Sequence, residues 1–225
     1  MVRYFFFKKE NIRTEQQYPS DILEIKTFVE NCLKETGENS LVRIGEQGGY
    51  FLIFDEPSIN GRIPYYLQEN KESIPSQQEI EQNLAGFVRE ELSFCILNFK
   101  DFRERFSIDH SLENIEVKIS SEKTIFKIRY PMTINKKDSE SVYKLEDFNV
   151  DIPINLDKIL KISNEIIKEQ KLHLDSICLS CLFDLGKNYG VHVDMLDYGN
   201  STIFTIIDDN SQINEESYEW NFAIV

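Results

Sequence analysis

Apolar residues recur at helical spacing in two stretches of the first half of the chain. Ile22, Ile25, Val29, Cys32 and Leu33 fall three and four residues apart after the polar leader ending at Tyr18-Pro19. This pattern predicts an amphipathic helix capped by Ser20 or Asp21 and ended by Gly37. A longer helix is expected from Ser76, with Ile80, Leu84, Phe87, Val88, Leu92, Cys95, Phe99 and Phe102 on one face. Between the two, Leu41 to Phe54 alternates poorly and then turns β-like in Tyr50-Phe51-Leu52-Ile53-Phe54, after the paired glycines Gly48 and Gly49. Residues 55–76 carry Pro57, Pro64 and Pro75, which predicts a long loop presenting Pro64-Tyr65-Tyr66.

The second half changes to a period of two. Ile115 to Ser120 and Thr124 to Ile134 predict a hairpin, and Val142 to Ile154 a further strand closed by Pro153. Asn155 caps a helix carrying Leu156, Ile159, Leu160, Ile166 and Ile167. The segment 174–186 is apolar on most sides, so a buried helix is expected there, followed by strands at 191–197, 201–208 and 217–225. The fold class is therefore α+β, with N-terminal amphipathic helices followed by a mostly antiparallel sheet with further helices. Residues 1–18 form a leader or stalk. Residues 19–225 form a single α+β domain, divisible into a helical lobe (19–107) and a sheet-rich lobe (108–225).

Composition adds a limit on partners. The 225 residues are 41% hydrophobic, enough for a real core. Thirty-nine acidic against 25 basic residues leave a net charge of −14, which repels a phosphate backbone and argues against nucleic acid as a partner. Lys127 and Arg129 alternate with apolar neighbours and belong to a solvated strand face. No stretch approaches the roughly 20 apolar residues of a membrane span, and Met1 to Phe7 is too short for a signal-peptide core. Tyr4, Phe5, Phe6 and Phe7 before Lys8 and Lys9 have the composition of an aromatic edge strand or leader, or of the interfacial end of a membrane helix lying upstream.

Candidate chemistry is sparse. Cys32 and Cys95 face inward on their two helices, either bonded to each other or as two buried thiols. Cys178-Leu179-Ser180-Cys181 has the spacing of a redox dithiol or half a zinc site. Its neighbours Ile177, Leu179, Leu182 and Phe183 would bury the sulfurs and disfavour a thiolate, so a structural pair or local disulfide without catalytic role is expected. His192 and Asp194 share a strand face, and Asp208 and Asp209 lie across a hairpin from them. Together His192, Asp194 and Asp208 are the candidates for a metal site, the simpler reading being a polar face with an Asp-Asp-Asn turn at 208–210. Gly48, Gly49, Tyr50, Tyr65 and Tyr66 are the candidates for an aromatic ligand platform. Gly45 to Gly49 lacks the lysine and following helix of a phosphate loop, no nucleophile elbow occurs, and nothing calls for a cofactor. Asn200-Ser201-Thr202 is an N-glycosylation acceptor, relevant to an exported chain.

The order of several short segments resembles a group of uncharacterised archaeal membrane-anchored surface proteins. Members of this group carry one N-terminal membrane helix and an external α+β domain, and occur in small-genome archaeal lineages. The segments are Phe28 to Leu33, Gln47-Gly48-Gly49-Tyr50, Ile63 to Tyr66, Glu91-Leu92 leading to Cys95, Arg129-Tyr130-Pro131, Phe148 to Pro153, Asp208, and Trp220 to Ala223. The resemblance implies export, a Cys32–Cys95 disulfide and a membrane anchor upstream of residue 1, which this sequence lacks; it implies no activity. The first expectation is thus an extracytoplasmic domain of a membrane-anchored envelope or surface-interaction protein, with other surface proteins or glycans as partners. A glycan- or peptide-binding module using the tyrosines and a metal-dependent hydrolase are the alternatives.

Overall fold

The computed structural model describes residues 18–53, 57–173 and 176–225. The expected leader, with its aromatic run Tyr4 to Phe7, lies outside the described residues apart from Tyr18, as does Phe54.

Helix α1 (Ser20–Glu46) is longer than its first apolar stripe suggests. Gly37 does not end it, because this glycine lies on the buried face. A Cβ there would stand 2.9 Å from Ile152 and 3.3 Å from Phe126, so its smallness admits the sheet instead of stopping the helix. Leu41 and Ile44 continue the stripe. Pro19, rather than Ser20 or Asp21, holds the cap position, and Asp21 pairs with Lys136 at 2.7 Å.

The chain leaves α1 through Gly48 (φ +51°) and Gly49 (φ +89°), a left-handed pair closed by the Gly49 N–H donating to Ile44 O at 2.8 Å. Added side-chain atoms would meet Asn221 O at 2.6 Å from Gly48 and Pro75 at 2.6 Å from Gly49. Tyr50 to Ile53 then run irregularly rather than as a strand. Aromatic strand propensity needs a ladder partner, and the place beside the C-terminal strand is already filled.

What fills it comes from the proline-rich segment, which is not one long loop. It holds β1 (Ser58–Ile59), β2 (Ile63–Gln68, with Pro64 inside it) and β3 (Lys71–Glu72). Helix α2 (Gln77–Ile96) follows, with the Ser76 and Glu79 side chains capping each other's backbone N–H groups. It stops six residues short of Phe102. Leu97, Asn98 and Phe99 all take positive φ, and a 3-10 turn runs to Phe102. Such residues cost of order 1–3 kcal/mol each. Phe99 and Phe102 are nonetheless buried, and both pack edge-on against Phe28. His110 fastens the turn: its Nε2 lies 2.8 Å from Asn98 Oδ1 and its Nδ1 2.8 Å from the Tyr130 hydroxyl. Tyr130 can donate only to a bare Nδ1, leaving Nε2–H to donate to Asn98, so the neutral ring satisfies both contacts.

Strands β4 (Phe106–His110), β5 (Asn114–Ile119), β6 (Thr124–Lys136) and β7 (Val142–Ile152) form an antiparallel sheet. β4 and β5 share one edge of β6 and β7 takes the other. Helix α3 (Leu156–Leu172) starts at Asn155, whose Oδ1 accepts from Lys158 N–H at 2.9 Å. Helix α4 (Leu179–Tyr189) leads to β8 (His192–Tyr198), β9 (Ser201–Ile213) and β10 (Glu216–Ile224). The second sheet has the order β1-β2-β10-β9-β8, with β3 on β2; β2 and β10 run parallel, and its other pairs are antiparallel. The expected turn at 208–210 is a bulge inside β9: Asp208 pairs with Tyr218 but Gln212 with Ser217, leaving 209–211 extra.

One buried cluster extends from Ile22 to Ile224 through both sheets. α1 packs on β7 of the first sheet and β10 of the second, with α2 along its side. The Cys32–Cys95 disulfide joins these helices with Cα atoms 5.6 Å apart. Closing a separation of 63 residues contributes about 4 kcal/mol in the chain-entropy account. Asp208, wholly buried, meets Lys158 of α3 at 2.6 Å and accepts from the Ser211 hydroxyl at 2.7 Å.

Three outcomes follow for stability. Gly49→Val should lower unfolding free energy by about 2–3 kcal/mol, measured by urea titration. Asp208→Ala should cost about 3 kcal/mol, because it strands the largely buried Lys158 ammonium. Burial, opposed by the nearby Asp109 charge, holds the His110 pKa below its ordinary 6.5. The unfolded chain therefore takes up this proton first, so stability present above pH 6.5 should decline as pH falls below it, and the decline should shrink in His110→Gln.

Candidate functional site

Helix α4 begins at Cys178, which occupies the N-cap position and is bonded to Cys181, with Cα atoms 5.2 Å apart. The Cys181 N–H donates to Cys178 Sγ at 3.3 Å, and the Ser180 hydroxyl lies 3.6 Å from the same sulfur. Leu182, Leu185 and Gly186 form the buried face of the helix. The remaining apolar side chains do not follow them inside: Leu179 is 64% exposed and Phe183 73%. This corrects the expectation of a buried helix, and with it the premise that apolar neighbours bury both sulfurs, which are only half-buried. The physical reason is the position of β8. It is the last of the described strands in its sheet, so among the described residues no further strand covers the second apolar face of α4.

Among the described strands β8 pairs with β9 alone, and its register decides which residues face α4. Val193 and Met195 stand opposite Ile206 and Phe204, both fully buried, and so continue the core-facing side of the sheet out to its edge. There they form an open groove of about 710 Å³ with Leu179, Leu182 and Phe183. Asp194, Asp209 and Lys187 also border it, with the Asp194 side chain on the same strand face as His192 and Leu196. His192 lies at the rim, 3.2 Å from Asp209, with most of its side chain in solvent. Leu196, on the opposite face of the strand, is 62% exposed. A free ladder edge beside exposed leucine, phenylalanine and methionine is a combination that soluble domains ordinarily suppress. It is also the geometry by which an extended peptide adds to a sheet.

The residues singled out from sequence are distributed differently. Tyr66 is buried, stacks on Phe222 at 4.5 Å, donates to Gly48 O at 2.7 Å and accepts from Trp220 Nε1 at 3.1 Å. Burial holds its phenol neutral, far above the ordinary tyrosine range. Tyr65, pointing to the other side of β2, is half-buried and shares a 3.0 Å hydrogen bond with Ser201. Tyr50 donates to Ser73 O at 3.1 Å. Gly48 and Gly49 are buried, with Gly49 O accepting from Asn83 Nδ2 at 3.0 Å. The three tyrosines therefore do not share a face, because adjacent strand residues point to opposite sides and Tyr66 is needed by the core.

The metal candidates separate in the same way. His192 and Asp194 stay together on exposed β8, but Asp208 turns inward to Lys158, and Asp209 meets the imidazole in its place. Among the described residues no three histidine, cysteine, aspartate or glutamate side chains gather as a metal site. Lys127 and Arg129 are exposed, and Arg129 pairs with Glu113 at 3.0 Å. Asn200 is exposed in the turn between β8 and β9.

Phe183, Leu179 and Met195 were not singled out by sequence reasoning. The available signal was the excess of apolar residues over what one buried face of α4 can use. Two disulfides place the chain in an oxidising, extracytoplasmic environment. Among the described residues no helix is long and apolar enough to cross a membrane. The chain matches no family model, no curated protein and no solved structure.

Proposed function

We propose that this protein is an extracytoplasmic interaction domain that takes an extended polypeptide segment of apolar and basic side chains along β8. The observation that carries this reading is the groove between α4 and the edge of β8 that no other described strand pairs, with Phe183 and Leu179 standing exposed over it. An added strand satisfies the free backbone groups of β8, and alternate apolar side chains enter the groove. The charge of the partner follows from the acidic balance of the chain, −14, and from Asp209 at the groove and Asp194 on the adjoining edge strand, beside the basic side chains Lys187 and His192. Tethering to a membrane surface by an upstream helix, in the manner of the archaeal surface proteins the sequence resembles, would set this groove facing other envelope polypeptides.

The test uses a synthetic peptide of alternating leucine and lysine, with a leucine and glutamate peptide as control. Titration by calorimetry should give binding of the basic peptide at least about tenfold tighter than the acidic one at low salt. Phe183→Asp should weaken binding by at least about tenfold while leaving the unfolding midpoint nearly unchanged, since the ring is exposed. Equal binding by wild type and Phe183→Asp would exclude the groove as the seat. Recovery of the native protein from the cytosol would overturn the surface location.

A further inference from the structure

We infer that the Cys178–Cys181 disulfide is a thiol–disulfide exchange site acting on cysteine-bearing polypeptides held in the adjoining groove. The inference rests on the groove as a peptide seat for its substrate, and on the cysteine pair alone for its chemistry.

Three observations carry it. The pair lies at the start of an eleven-residue helix, half-buried rather than enclosed, so a second sulfur has access. Cys178 Sγ is the acceptor for the Cys181 N–H and lies within reach of the Ser180 hydroxyl. Donors aimed at a sulfur stabilise it as a thiolate once the bond is opened, as does the positive end of the helix dipole. Finally, Leu179 and Leu182, which immediately follow the two cysteines, are themselves groove residues, so a segment in the groove passes the disulfide. The Cys32–Cys95 bond has neither the helix-start position nor the adjoining groove: it ties two helices together away from their starts, with Cys32 only 2% exposed.

The exchange balances within the pair and its substrate. A substrate thiolate attacks Cys178 Sγ; a mixed disulfide forms as the Cys178–Cys181 bond breaks, and Cys181 leaves as a thiolate and takes a proton. The second thiolate of the substrate then attacks its own first sulfur, and Cys178 leaves as the thiolate that Cys181 N–H and the helix terminus stabilise. Two electrons pass from the substrate dithiol, which becomes a disulfide, to the cysteine pair, which becomes a thiol and a thiolate. Stabilising the reduced form in this way makes the pair an oxidant. A low-molecular-weight disulfide such as oxidised glutathione resets it by the reverse steps.

The full chain with both disulfides formed is mixed with a reduced synthetic peptide of leucine, lysine and two cysteines, and peptide thiols are followed by alkylation and mass spectrometry. One disulfide should form per protein, at least about tenfold faster than with oxidised glutathione at equal concentration. Cys178→Ser should abolish the transfer. In the selectively reduced protein, Cys178 should titrate at or below about pH 7.5, against about 8.5 for an ordinary thiol, followed by thiolate absorbance. Cys181→Ser, with Cys178 left free, should accumulate a mixed disulfide when given the oxidised peptide. Phe183→Asp should slow peptide oxidation at least about tenfold and leave the Cys178 titration unchanged. A peptide rate that survives Phe183→Asp, but not Cys178→Ser, would uphold exchange at the pair and overturn the groove as its substrate seat. A Cys178–Cys181 bond that resists the peptide, together with a Cys178 thiol titrating at 8.5 or above, would overturn the exchange itself.

Discussion

Burial of the apolar stripe of α1 is the interaction on which the rest of the structure depends. This helix touches β7 in one sheet and β10 in the other, so neither sheet has a complete core without it. Gly37 lets the first sheet approach, and the Tyr218 hydroxyl reaches back from β10 to donate to Leu41 O at 3.0 Å. The disulfide to α2 then fixes the helix pair as one layer, with Phe28 closing over Phe99 and Phe102 at its end. The costly left-handed turn after α2 persists because it delivers those two rings to that layer, and His110 holds it from the sheet side.

Buried polar groups convert this packing into a specific arrangement. The run from Trp220 through Tyr66 to Gly48 O satisfies three groups inside the core and locks the glycine turn to β2 and β10. Asp208 does the same for the far end of β9. Its carboxylate is shared by Lys158, Ser211 and the Asn210 N–H, which organises the bulge. The next two residues, Asp209 and Asn210, thereby reach the groove beside α4, and Asn210 donates to Gly190 O at 3.4 Å. An aspartate with the appearance of a metal ligand in the sequence acts here as a buried brace for the site next to it.

The surface around α4 and β8 combines features that each carry a cost for a free-standing domain: exposed apolar side chains, a strand edge that no other described strand pairs and a half-exposed disulfide at a helix start. Their coincidence at one end of the second sheet is what distinguishes this region from the rest of the molecule. A polypeptide laid along β8 would cover the first two and pass the third. The acidic charge of the chain would favour a basic partner over further copies of itself.

The sequence by itself determined the fold class, the inward positions of Cys32 and Cys95, the Ser76 and Asn155 helix starts and the conformational demand of Gly48-Gly49, because these rest on local periodicity, capping chemistry and backbone sterics. The union of Cys32 with Cys95, which the resemblance implied, is a fact of helix packing. Spacing could not decide where α1 ends, since a glycine that stops a helix and one that admits a neighbour look alike until the neighbour is present. Nor could it decide the fate of Tyr66 or Asp208, whose chemistry suits a surface site or a core equally well; partners from distant strands drew both inside. The apolar excess of α4 was visible in the sequence, yet only the strand order, which leaves β8 at an edge, decided that Leu179 and Phe183 face solvent. Tertiary structure thus placed the candidate site where burial ran out, and burial is a property of the whole fold rather than of any segment.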